Sequence, residues 1–123
     1  MISRGRLLVV ALATATVLGL GLSACGSGGS LARAACAHVD RSLLLYQRSQ
    51  HAATPAQASA DYRAAVNELA LAQPGAAQAA AQNGQWQALM TIISESPRVP
   101  LGLLVHALTA QCAVASSPNG IGS

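Results

Sequence analysis

The chain has 123 residues, and its seven basic and four acidic side chains give a formal net charge of +3. All of the basic residues are Arg, and two of them, Arg4 and Arg6, lie within the first six residues, so the remainder is nearly neutral. With one Trp and two Tyr, the chain has neither a basic stripe for a phosphate backbone nor enough aromatic rings to stack on bases. We therefore expect one small domain and no nucleic-acid partner.

The first 24 residues have the order of an export signal, with a positive segment, an apolar segment and then small residues. Residues 7–22 carry no charge, and positive residues before such a segment stay on the cytoplasmic side. Two other interpretations are weaker. An uncleaved helix over residues 7–24 would be at the short end of the roughly 17–25 residues that a membrane span needs, and ordinary cleavage would simply release the chain. We predict a cleaved signal peptide over residues 1–24.

Leu22, Ser23, Ala24 and Cys25 stand at the end of the apolar segment. This order resembles the lipobox of bacterial lipoproteins. The resemblance implies that a dedicated peptidase recognises Leu22, Ser23 and Ala24 and cuts before Cys25, whose thiol receives a diacylglyceryl group and whose amino group can be acylated as well. Two or three acyl chains form a stable anchor, so the resemblance implies a mature chain on the outer face of the cell membrane.

A second resemblance concerns the downstream part of the chain. The stretch from residues 83–86 (Asn-Gly-Gln-Trp) to residues 110–112 (Ala-Gln-Cys), with Cys36 near the first predicted helix, is similar to small actinobacterial lipoproteins, including mycobacterial ones. Actinobacteria have GC-rich genomes, and a composition rich in Ala and without Lys resembles that of proteins encoded by such genomes. This resemblance implies a place in the cell envelope and no assigned enzyme activity.

Composition divides the mature chain into three parts. Residues 25–30 comprise Cys25 and a Gly- and Ser-rich stretch, which predicts a flexible linker. From residue 31 to residue 115 the apolar side chains recur at helical spacing and predict a helical domain. Residues 116–123 are small and polar for the most part, which predicts a disordered tail.

Four helices are predicted within this domain. The first covers residues 31–50, and the second is capped by Thr54, begins at Pro55 and ends near Gln73, since Pro74 and Gly75 disfavour its continuation. The third covers residues 75–94, with a split at residues 83–84 as the close variant. Residues 96–97 (Ser-Pro) open the last helix. Because short connections make consecutive helices antiparallel neighbours, the fold class is all-α, a small up-down four-helix bundle.

The three cysteines are an odd number for an exported chain. Lipidation of Cys25 would leave Cys36 and Cys112, which fall on the core faces of the first and last predicted helices. Those helices are antiparallel neighbours in an up-down bundle, so the two cysteines lie at the same level. We predict a disulfide between them, since the outside of the membrane is oxidising.

No metal site or cofactor is predicted. A zinc site formed by Cys36, His38, His106 and Cys112 is disfavoured by helix geometry. On a regular helix Cys36 and His38 point about 200° apart, and His106 and Cys112 point about 120° apart, so neither pair can bind one ion. His38 and His51 are expected at the surface, and His106 on the outer side of the last helix. The acids are scattered, and neither a phosphate-binding loop nor a nucleophile motif is present, so no enzyme activity is expected.

The function hypothesis is a membrane-anchored interaction module of the cell envelope. Trp86, within a cluster of Gln and Asn, is the predicted contact with a protein partner because Trp is favoured at binding hot spots. The alternative is a small carrier that holds an apolar ligand between its helices.

Overall fold

The computed structural model describes residues 28–117. Its helices are α1 (Gly29–Gln50), α2 (Pro55–Gln82), α3 (Gln87–Glu95) and α4 (Leu101–Ser116), with a 3-10 turn (Gly84–Trp86) before α3. The described residues contain no strand, so the all-α class and the number of helices are confirmed. None of these helices is long and apolar enough to cross a membrane. The predictions for residues 1–27 and 118–123, including the signal peptide, the lipobox and Cys25, fall outside the described residues.

Helices α1 and α2 form a long antiparallel pair. His38 on α1 contacts Glu68 on α2, and further along α1 the hydroxyl of Ser42 donates a hydrogen bond to the carbonyl of Ala65 at 2.7 Å. The surface between them is made of small side chains, since Ala32, Ala35, Ala65, Ala72, Ala76 and Ala79 are all buried. Small side chains let the two backbones approach closely, because dense packing then needs a short distance between the axes.

The four helices close into a ring, in which α1 packs against α2 and α4 while α3 also packs against α2 and α4. The larger core side chains come mostly from the second half of the chain and are Leu69, Trp86, Leu89, Ile93, Leu101 and Leu108. We call the two ends of this bundle the Gly28 end and the Tyr46 end. The Gly28 end holds the start of α1, the last turns of α2 and α4 and the 3-10 turn. The Tyr46 end holds the last turn of α1 and the first turns of α2 and α4.

The predicted end of the second helix at Gln73 is wrong, because α2 continues through Pro74 to Gln82. Pro74 lies on the exposed side of α2, so the carbonyl of Ala70, which it cannot bond, faces away from the core. On the opposite side, Ala72, Ala76 and Ala79 stay buried against the bundle. Tertiary packing therefore outweighs the local effect of proline, and the third helix is reduced to nine residues after the 3-10 turn.

Two helix starts also differ from the prediction. Helix α1 includes Gly29 and Ser30, which were expected in the flexible linker, and Gly28 before it is buried. Helix α4 begins at Leu101, because residues 96–100 form a turn instead of the first turn of the helix. The backbone N–H of Leu101 donates to the hydroxyl oxygen of Tyr62 at 3.0 Å, so a side chain of α2 caps the start of α4.

Candidate functional site

Within the described residues, side chains or backbone groups converge between helices at several places. They include the packed junction around Gly28 and Trp86, the pair of cysteines between α1 and α4, a polar cluster between α1 and α2, and two grooves, one between α1 and α4 and one between α2 and α3. No single cleft in the described part collects the predicted site residues.

Gly28 is wedged between the last turns of α2 and Trp86 of the 3-10 turn. Its φ of 51° lies in the left-handed region, which residues other than glycine rarely adopt. A Cβ atom at this position would lie 2.7 Å from the carbonyl oxygen of Ala79 and 3.2 Å from Cδ1 of Trp86. Its N–H donates to Oε1 of Gln82 at 3.2 Å. The chain is thus held firmly at the residue where the bundle begins.

Trp86, the last residue of the 3-10 turn, packs against Gly28 in the same junction. Only 2% of its surface is exposed, and its ring packs near Gly28 at the end of α2. In this conformation little of the ring is reachable by a partner, as a hot-spot residue has to be, and the contact of Trp86 with a partner stays a prediction. The sequence signal was ambiguous because a lone Trp beside Gln and Asn fits both a surface anchor and a core residue with a polar neighbourhood.

Cys36 and Cys112 lie where the sequence placed them, on the facing sides of α1 and α4. Their sulfur atoms are 2.06 Å apart, at disulfide-bonding distance, and their Cα atoms are 5.6 Å apart. The pair links residues that are 76 positions apart in the chain. Both side chains are almost fully buried. A bond here joins the first and last helices and restricts the unfolded chain.

A polar cluster between α1 and α2 was missed by the sequence analysis. Nδ1 of His38 lies 2.8 Å from Oε2 of Glu68, and Nε of Arg41 lies 3.4 Å from the same oxygen. The side chains of His38 and Glu68 are 29% and 21% exposed. His38 was expected at the surface, and the structure shows it partly buried. His38 and Arg41 are three residues apart, but only the register of α1 against α2 could have shown that Glu68 faces them.

The proton arrangement in this cluster follows from the charge of Glu68. Nη2 of Arg41 is 3.0 Å from Nδ1 of His38, yet one ring nitrogen cannot donate to Glu68 and accept from Arg41 at the same time. An ionised Glu68 accepts only, so Nδ1 is assigned as the donor. The hydrogen bond from His38 lowers the pKa of Glu68 below its ordinary value of 4.5; partial burial opposes this effect, and the charge of Arg41 adds to it.

A zinc site is not formed by the four residues considered above. The sulfurs of Cys36 and Cys112 lie at disulfide-bonding distance from each other, His38 faces Glu68, and His106 is exposed on α4 as expected. Within residues 28–117, no three side chains of His, Cys, Asp or Glu are grouped so that they could hold a metal ion. The close pairing of a His with a carboxylate in this part of the structure is that of His38 with Glu68.

An apolar groove lies between α1 and α4 towards the Tyr46 end. Its volume is about 500 Å³, and its walls include Leu43, Leu44 and Val105. Asp40 lies at its edge, and its carboxylate has no ion-pair partner among the described side chains. Leu44 is 58% exposed, so a large part of its aliphatic side chain is open to a partner at the wall of the groove.

A smaller groove of about 330 Å³ lies between α2 and α3, with walls that include Leu69 and Ile93. Gln73 also lines it, and its buried Oε1 has no hydrogen-bond partner within the described part. Buried acceptors of this kind usually have a partner. The groove is open at the surface and lies beside a filled core.

Comparison of the chain with protein-family models, with curated proteins and with solved structures gave no match.

Proposed function

We propose that this chain is an extracytoplasmic lipoprotein, held on the outer face of the membrane by lipid on Cys25, and that its helical domain is a protein-interaction module of the cell envelope. The apolar groove between α1 and α4 is the observation that supports the interaction module. The core of the bundle is filled by alanines and by larger side chains such as Leu101 and Leu108, while Leu44 is left exposed. An exposed apolar groove beside a closed core favours binding of a protein surface.

The chemistry of the groove indicates the kind of partner. Its aliphatic walls fit the apolar side chains of an amphipathic helix, which docks in grooves of this type through residues three and four positions apart. The carboxylate of Asp40 at its edge and the uncharged amides of Gln47 and Gln50 favour one basic side chain on that helix. The proposed partner is therefore an envelope protein that presents an amphipathic helix with one Arg or Lys beside its apolar stripe.

Mass spectrometry of protein extracted from membranes tests the anchor. The expected mass lacks residues 1–24, carries lipid on Cys25 and has two hydrogens fewer than the reduced form for Cys36 and Cys112. A Cys25→Ser variant should lose the lipid mass and leave the membrane fraction. A wild-type chain that is recovered without lipid would overturn the proposed localisation.

Site-specific crosslinking in intact cells tests the interaction module. A photo-reactive residue at Gln47 should capture one protein whose capture is lost in Leu44→Arg and reduced in Asp40→Asn. The matched control is Leu71→Arg, since Leu71 is 53% exposed on α2 and does not line the groove. If Leu44→Arg and Leu71→Arg reduce capture equally, the groove is not the binding surface.

The carrier of an apolar ligand stays the second candidate, and the unpartnered oxygen of Gln73 is the observation in its favour. A ligand with an apolar body and one donor group would fit the groove between α2 and α3. Binding of a fluorescent fatty amine that Gln73→Leu weakens, and that Leu44→Arg leaves unchanged, would support this function. Absence of saturable binding would exclude the carrier for this class of ligand.

A further inference from the structure

The position of Gly28 limits how far the bundle can move from Cys25. Only two residues, Gly26 and Ser27, separate Cys25 from Gly28. A chain spans at most about 3.6 Å per residue, so the Cα atoms of Cys25 and Gly28 are at most about 11 Å apart whatever the conformation between them. Gly28 itself is buried against Ala79 and Trp86, so no further slack is available inside the bundle.

We infer that the Gly28 end of the bundle lies on the lipid headgroups. The groove between α1 and α4, which is nearer the Tyr46 end, then faces away from the membrane surface. This inference rests on the lipid anchor at Cys25 proposed above. The proposed binding partner of the Gly28 end is a phospholipid surface. The first reason is the short distance that the chain between the lipidated Cys25 and Gly28 can span.

The distribution of charge is the second and independent reason. No residue from 69 to 94 is charged, and this segment supplies the last turns of α2, the 3-10 turn and nearly all of α3. The last turns of α4, residues 107–117, carry no charge either. The four acids of the chain are Asp40, Asp61, Glu68 and Glu95, and none of them belongs to the Gly28 end.

The contacts between helices place these acids along the bundle. Glu68 meets α1 at His38, and Asp61 precedes Tyr62, whose hydroxyl contacts the start of α4. Asp40 lines the groove that reaches His51. Bilayers with anionic lipids repel carboxylates and attract basic side chains. The one charged residue at the Gly28 end is the exposed Arg33, so the sign of the charge there also suits a lipid surface.

The surface chemistry of this end fits the interface as well. The exposed positions around the 3-10 turn are Ala81, Gln82, Gly84, Gln87 and Ala88. The amides of the two Gln side chains exchange hydrogen bonds with water and headgroups without the cost of removing a charge from water. The Tyr46 end differs, since it carries charges of both signs: Arg48, Arg63 and Arg98 are exposed in its neighbourhood, and Asp61 and Glu95 lie there as well. Contact with the headgroups would remove these charges, including the carboxylates, from water.

A matched pair of Lys substitutions tests this orientation, because the chain contains no Lys. Gln87→Lys puts a single side-chain amine at the Gly28 end, and Gln50→Lys puts one at the Tyr46 end; both positions are exposed on helices. The length of α1 separates the two ends by about 33 Å. Each amine is coupled to a fluorophore, and the lipidated protein is reconstituted into phosphatidylcholine and phosphatidylglycerol vesicles that contain a lipid with a quencher on its headgroup.

We expect the probe at residue 87 to be quenched several-fold more strongly than the probe at residue 50. Insertion of ten Gly and Ser residues between Ser27 and Gly28 should reduce this difference, since it removes the restriction on reach. Circular dichroism checks that both variants are folded.

Two outcomes would overturn the inference, and they are distinguishable. Vesicle flotation of the wild type and of Cys25→Ser is measured first. If the wild type does not float, the anchor itself is wrong and the orientation falls with it. If the wild type floats and the two probes are quenched equally, or residue 50 is quenched more, the anchor stands and the orientation alone is wrong.

Discussion

The two ends of the bundle are built on different principles. At the Gly28 end, the backbone is in direct contact with its neighbours, and the fit depends on one glycine in the left-handed region and one buried Trp. At the Tyr46 end, polar side chains make the connections, since Tyr62 caps α4 and the rings of Tyr46 and Tyr62 meet edge to face with centroids 6.2 Å apart. The tightly packed Gly28 end, where Arg33 is the one charged residue, therefore tolerates little change, whereas the Tyr46 end has several charged side chains and the apolar groove nearby, and its exposed surface can vary.

The largest expected effect is that of Trp86→Ala at the Gly28 end. Removal of a large buried aromatic side chain costs about 3–5 kcal/mol in the free energy of unfolding. Leu44→Ala in the groove is the matched comparison, and because that side chain is mostly exposed we expect a change within about 0.5 kcal/mol. Chemical denaturation followed by circular dichroism measures both. Similar losses for the two variants would remove the distinction between the ends.

Gly28→Ala should have the second largest effect, about 2 kcal/mol or more. Alanine at a left-handed φ costs roughly 1–2 kcal/mol, and its Cβ would also meet the backbone carbonyl of Ala79. Gly84→Ala is the control at the same end, because a Cβ there meets no atom within 4 Å. Thermal unfolding should separate the two variants clearly; equal midpoints would mean that Gly28 is not held as described.

At the Tyr46 end, Tyr62→Phe should lower the free energy of unfolding by about 1–2 kcal/mol, because the buried N–H of Leu101 would lose its acceptor. Tyr46→Phe is the control, since its hydroxyl has no hydrogen-bond partner among the described residues. Hydrogen exchange at the amide of Leu101 gives a second readout. Unchanged protection of this amide in Tyr62→Phe would contradict the capping role.

The smallest effect concerns the cluster between the two ends. Since folding lowers the pKa of Glu68 from 4.5, its contribution to stability is present above pH 4.5 and is lost as the pH falls through the lower pKa of the folded state. Stability measured against pH should therefore fall less steeply below pH 4.5 in Glu68→Gln than in the wild type.

His38→Ala is the companion variant, because it removes the hydrogen bond that is the main cause of the lowered pKa. Its pH profile should be flattened in the same way, and the double variant should resemble either single variant. If stability in His38→Ala falls with pH as steeply as in the wild type, the lowered pKa of Glu68 is due to Arg41 instead of His38.

Several features were determined by the sequence itself because their causes are local. Helical spacing of the apolar residues predicted an all-α domain, and Thr54 followed by Pro55 marked the start of α2, where Oγ1 of Thr54 accepts the N–H of Gln57. The pairing of Cys36 with Cys112 followed from counting and from helix order, and the structure places the two sulfurs at bonding distance. The lipid anchor at Cys25 stays a prediction from a local motif.

Tertiary structure alone decided the rest, because the competing effects came from distant residues. Packing of buried alanines against α1 carries α2 through Pro74, which local propensity would have ended. The register of α1 on α2 brings Glu68 to His38, and the close fit at Ala79 turns Gly28 from a linker residue into a packed one. The burial of Trp86 follows from the same junction. Such outcomes depend on which helix faces meet, and the pattern of a single helix does not contain that information.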